Sequence, residues 1–237
     1  MNYDNPAARL LAILIAGKQI DGATRCRVAW ERILKADQNP PLLMSRLGKV
    51  MELPNLAVTE LQEQFPNDGD MWSHWLSQVN GAFLSQNLLG DWNSFNAHID
   101  SHTMTYLKMS SNLLQGKATT KLIADNELAE IRLTLMTILN SVLESDQPSE
   151  VKKYLHRAVM RLVISIDEYA LTGAMPILGD VERMLGHAVT DRSYKSFLFD
   201  SELGKKLLDT MSACANVVGI AVGIPQLSVA IDLLRLK

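Results

Sequence analysis

The chain has 237 residues, 47% hydrophobic and 21% charged, with a formal net charge of -3. That length and composition supply enough apolar surface for one large core or two small ones and exclude wholesale disorder, while the charge excludes a surface that is basic throughout. Nucleic acid is therefore not expected as the main partner, and two distant cysteines, Cys26 and Cys214, leave no zinc module and no dense disulfide framework.

The first segment, "MNYDNPAARLLAILIAGK", has an acidic residue where a signal peptide needs positive charge, and Arg9 breaks its apolar run. The expected location is cytoplasmic, with membrane association as the alternative. Residues 1–90 read as a subdomain of short helices punctuated by "GKQIDG", "DQNPP", "ELPN" and "FPNDGD". Pro6, Pro41 and Pro54 each suit a first helical turn, where the missing N–H is no loss. Within this part, Met71 to Leu88 places Trp72, Trp75, Leu76, Val79 and Phe83 together, and "LLGDWN" at Leu88 to Asn93 is the expected boundary.

Residues 91–237 read as a C-terminal bundle of longer helices. Phe95, Ile99, His102, Tyr106, Met109 and Leu113 repeat at alternating spacings of four and three, predicting a coiled-coil-like seam that ends near Gly116. "HIDSH" puts His98 and His102 at i and i+4, a spacing that brings two imidazoles to one side of a helix and could chelate a metal. Ile99 stands where the metalloprotease pattern needs Glu, so the pair is only a weak metal candidate and no metal is expected. Glu127 to Leu143 carries Leu128, Ile131, Leu135, Ile138, Leu139 and Val142 on one face, broadened by Leu133, Met136 and Leu143, as a central helix would.

The next helix follows Pro148. Val151, Tyr154, Leu155, Ala158, Val159, Leu162, Val163, Ile166, Tyr169 and Ala170 give an unbroken apolar stripe over some five turns, and Gly173 is placed for a left-handed cap. On the polar side of this helix Lys153, Arg157 and Arg161 form an i, i+4, i+8 ladder with Lys152 and His156 alongside. Like charges face one another there, and the first of them sit where the helix dipole disfavours cations. This face is the expected recognition surface for an acidic partner; the competing account has Asp125, Glu127, Glu130, Asp180 or Glu182 of the same chain neutralise it. "IDEY" holds adjacent carboxylates, Asp167 and Glu168, that point about 100° apart and cannot act as a facing acid/base pair.

Pro176 opens a shorter helix through Ile177, Leu178, Val181, Met184, Leu185 and Ala188, expected to form an antiparallel hairpin with its predecessor. Its "RMLGH" resembles the Arg and His pair of the all-helical HEPN-type ribonucleases, but only three residues separate Arg183 from His187 and Met184 replaces the expected polar residue. The family is not assigned on this segment, which reads as a capped helix end.

Thr210 to Ile231 contains no formal charge. Pro225 leaves fifteen residues ahead of it, about 22 Å of helix, whereas a bilayer core of about 30 Å needs about twenty apolar residues. Ala215, Gly219 and Gly223 recur every four residues as a strip for close helix packing or, in the alternative, membrane contact. The expectation is an all-α, irregular multi-helix bundle, a short-helix N-terminal subdomain packed on a longer-helix C-terminal bundle. No catalytic residues and no cofactor are expected, because no phosphate-binding glycine loop, nucleophile elbow or Cys/His nucleophile pattern occurs. The expected function is regulatory or protein-interaction, through a protein partner, self-association into a homo-oligomer, or both. Two alternatives are a membrane-acting helical effector of toxin-like or antiviral-defence type and a helical nuclease or metal-dependent hydrolase.

Overall fold

A computed structural model describes residues 4–117 and 122–222, and among them lie twelve α-helices and one 3-10 turn. The protein is all-α, in two compact units of residues 2–118 and 119–237.

The first unit comprises α1 (Pro6–Lys18), α2 (Cys26–Ile33), α3 (Pro40–Gln64), a 3-10 turn (Gly69–Trp72), α4 (Ser73–Ser85), α5 (Asn93–Asn96) and α6 (Ser101–Lys117). Asn5 and Asn39 cap α1 and α3 by accepting from the Ala8 and Leu42 amides, with proline at each helix start. Pro54, expected in a first turn, instead lies inside α3, a helix of 25 residues in a region expected to hold only short ones. An interior proline costs about 3 kcal/mol. Leu43, Leu47, Val50, Leu53, Ala57, Val58 and Leu61 are buried on both sides of it, and at about 1.5–3 kcal/mol for each fully buried large apolar side chain that stripe outweighs the break.

An aromatic cluster centres this unit. Trp30 meets Trp92 and Phe95 edge-on at centroid distances of 5.1 and 4.9 Å and stacks on Phe83 at 6.2 Å. "LLGDWN" is stitched into the same unit by main-chain bonds: Trp92 N–H donates to Thr24 O (2.7 Å), Cys26 N–H to Gly90 O (2.8 Å) and Arg27 N–H to Leu88 O (3.1 Å). The first unit therefore continues past that stretch through α6, which packs on α1 and α4.

The buried face of α6 differs from the expected seam. Thr103, Leu107, Ser110, Ser111 and Leu114 are buried, whereas His102, Tyr106 and Met109 are exposed. The heptad count ran across two elements: Phe95 belongs to α5, and Asp100 accepts from the Thr103 amide at 2.6 Å, starting a new helix at Ser101 in its own register. Of the buried hydroxyls, Ser110 Oγ accepts from Trp75 Nε1–H at 3.0 Å, whereas Thr103 Oγ1 has no hydrogen-bond partner among the described residues.

The second unit comprises α7 (Asp125–Glu144), α8 (Ser149–Asp167), α9 (Tyr169–Thr172), α10 (Met175–Thr190), α11 (Arg192–Asp200) and α12 (Glu202–Val222). α7 packs on α8, α8 on α10, α10 on α12 and α12 on α7, and α11 lies against α8, α10 and α12. Their apolar stripes fuse into one core running from Ile123 to Val218. Gly173 takes φ 75°, the positive-φ stop expected there, but the single helix expected to run up to it breaks at Glu168, leaving Tyr169–Thr172 as the separate α9. In α12, Leu207, Leu208, Met211, Cys214, Ala215 and Val218 are buried in that core and Gly219 is partly buried; Gly223 and Pro225 lie outside the described residues. No helix among the described residues is long and apolar enough to cross a membrane.

Gly204 is buried so closely against the main chain of α11 that an added Cβ would overlap the Phe197 carbonyl oxygen. Gly204→Ala should lower the unfolding free energy by about 1–3 kcal/mol in urea titration. Gly186→Ala, at an exposed helix position with no neighbour within 4 Å, should raise it by about 0.5–1 kcal/mol.

Candidate partner-binding surface

α8 is held in rotation by its apolar side: Val151, Leu155, Ala158, Val159, Leu162, Val163 and Ile166 are buried. The opposite side must face outward, and Lys153, His156, Arg157 and Arg161 are all exposed there. Lys152, Lys153, His156 and Arg157, with Leu143 of α7, line an open depression of about 500 Å³.

The five residues singled out in sequence have different local partners. Lys152 Nζ donates to the Leu143 carbonyl at 3.0 Å. That carbonyl belongs to the last turn of α7, the negative end of its dipole, so Lys152 closes one helix with a charge that its own helix disfavours. Arg161 Nε lies 2.9 Å from Asp180 Oδ1. Lys153, His156 and Arg157 form no ion pair among the described residues. Of the acidic residues considered as internal partners, Asp180 alone pairs with this face; Asp125, Glu127, Glu130 and Glu182 are exposed and make no ion pair with it.

Asp180 itself was legible as an anomaly, a carboxylate on the apolar side of α10 among Ile177, Leu178, Val181 and Met184. It is 4% exposed and accepts from Arg183 Nη1 at 2.6 Å and Ser165 Oγ at 2.7 Å besides Arg161. The carboxylate is thus satisfied by three donors, and it fixes the two guanidinium groups at the edge of the basic face.

Sequence reasoning missed the ring cluster beside it. His187 stacks on Tyr154 with centroids 3.7 Å apart and planes 20° apart, and Tyr194 meets Tyr154 edge-on at 4.7 Å. His187 Nε2 lies 3.3 Å from Asp191 Oδ2. Burial pushes the Tyr154 phenol up to about 12, only partly opposed by the Arg161 and Arg183 charges. Burial also raises Tyr194, with Tyr154 adding to the shift. Tyr154 and His187 fall on neighbouring helices, so the contact has no local sequence signal.

His98 and His102 do not share a helix. His98 sits in the turn after α5 and His102 is the second residue of α6, so the chelating geometry assumed from their spacing is not formed. Among the described residues no cluster of three or more His, Cys, Asp or Glu could hold a metal ion. Cys26 and Cys214 are buried free thiols, each raised mainly by burial, Cys214 to about 12. No family model matches the chain, and neither curated proteins nor solved structures yield a match.

Asp180→Asn should lower stability by about 1–3 kcal/mol, because it removes the charge that two guanidinium groups and a hydroxyl address; urea titration measures the loss. A phenol raised in the folded state binds a proton that the unfolded chain has released. Stability therefore falls as pH rises through the window from 10, the ordinary phenol value, to about 12. Tyr154→Phe should make that decline shallower, leaving the part due to Tyr194.

Proposed function

We propose that this protein acts by binding, and that the outward face of α8 recognises an acidic macromolecular partner. The observation that carries the reading is the charge balance of that face. Lys152 is engaged by the end of α7 and Arg161 by Asp180, while Lys153, His156 and Arg157 stand exposed around an open depression with no carboxylate of the described residues paired to them. Like charges one turn apart repel, and cations near a helix start oppose its dipole, so a surface shaped by stability alone would mix the signs. An acidic partner removes both penalties on binding.

The charge-reversed double variant Lys153→Glu, Arg157→Glu tests this reading. Because both side chains are exposed and make no ion pair, its thermal midpoint should stay near that of the wild type. Wild-type affinity for a poly-glutamate probe should fall steeply with salt, and the variant should bind more weakly with a shallower salt dependence. Unchanged affinity in the folded variant would remove this face from consideration. A destabilised variant whose affinity falls only with its folded fraction would show instead that the chain neutralises the face itself.

A further inference from the structure

The shape of the same face specifies its occupant more narrowly. Resting on the reading just given, we infer that the α8 face docks an acidic amphipathic α-helix of a partner protein, with two carboxylates four residues apart and an apolar residue about seven positions further along.

The uncompensated charge is short. Lys153 and Arg157 are one turn apart, about 6 Å along the axis, with His156 beside them. The unpaired part of the face is bounded at both ends: Asp180 pairs with Arg161 while also holding Arg183, and the exposed Glu144, Asp146 and Glu150 lie near the turn from α7 into α8. A nucleic-acid strand typically draws on about 6–10 phosphate contacts and would meet those carboxylates, whereas a helix with Glu or Asp at i and i+4 matches the spacing of Lys153 and Arg157.

Apolar surface continues the same ridge. Ile164 lies seven residues beyond Arg157, two helical turns further on the same side of α8, and is 49% exposed. Leu143, 40% exposed, borders the depression beside the cations. From Lys153 to Ile164 the ridge is about 16 Å long, three turns of a docked helix. Two unpaired cations, then Arg161 held by Asp180, then an exposed isoleucine, with a leucine on the flank, form the counterpart of a helix that presents two acids and one apolar anchor.

Three probes test this by fluorescence anisotropy: a peptide held helical by a lactam bridge on its far face with that spacing, an isomer of equal composition whose carboxylates lie on opposite faces, and a single-stranded RNA oligonucleotide of equal charge. The matched peptide should bind at least about ten-fold tighter than the isomer, equivalent to 1.4 kcal/mol. Lys153→Glu, Arg157→Glu should erase most of that difference, and Ile164→Ser, or Ile164→Thr if the serine variant does not fold, should weaken the matched peptide several-fold while leaving the effect of the charge reversal intact. Equal binding of both peptides, lost together on charge reversal, would overturn the helix inference and leave the acidic-partner reading standing. Binding of neither peptide, or binding indifferent to charge reversal, would overturn both. Tighter binding of the RNA than of the matched peptide would replace the helix with a nucleic acid.

Discussion

The second unit is organised by the burial of one side of α8. Seven apolar side chains over nineteen residues lock its rotation, because a turn of the helix in either direction would bring charge into a close-packed interior and leucine into water. Everything opposite that stripe is then committed to the surface. The cations at Lys153 and Arg157 cannot swing inward to find carboxylates, and the only acidic side chain that reaches the face from α10 is Asp180, itself held inside by Ser165 and two arginines. One packing constraint thus gives both the fold of this unit and the charge pattern of its exposed surface.

The same constraint explains how the ends of the basic ladder differ from its middle. Lys152 sits where α7 ends and α8 begins, so the carbonyls of one helix meet the unfavourable pole of the next, and a single ammonium group bridges them. Arg161 sits where α10 crosses and finds a buried carboxylate. Between those two points no neighbouring element supplies a partner among the described residues, and the charges of one helical turn remain directed at solvent. A ladder that looks uniform in sequence is, in the folded chain, a short unpaired patch between two paired ends.

Legibility followed locality. The α8 stripe, the Gly173 stop and the helix opening beside Pro176 could all be read because each depends on residues within a few turns of one another. The α6 seam could not, because its apparent heptad joined α5 to a helix that Asp100 restarts in a different register, and the residues it buries include Thr103, Ser110 and Ser111, whose polarity hides them from a hydrophobic count. Pro54 misled for the opposite reason: a strong local break is overridden by a stripe buried on both sides of it. The basic residues of the candidate face were legible individually, but which of them are neutralised was not. That depends on Asp180 and on the end of α7, which approach α8 only in three dimensions. The Tyr154, His187 and Tyr194 cluster is tertiary in the same sense.

Exposed without an ion-pair partner among the described residues, Lys153 and Arg157 should cost the free protein stability. Unfolding free energy of the neutral variant Lys153→Gln, Arg157→Gln, measured in urea at low and high salt, tests it most directly. Glutamine matches lysine and arginine closely in helix propensity, so the comparison isolates charge. The account predicts a gain of about 0.3–1 kcal/mol at low salt that shrinks as salt screens the repulsion. A loss of stability at low salt would mean that these cations already have partners within the chain, and would contradict the account.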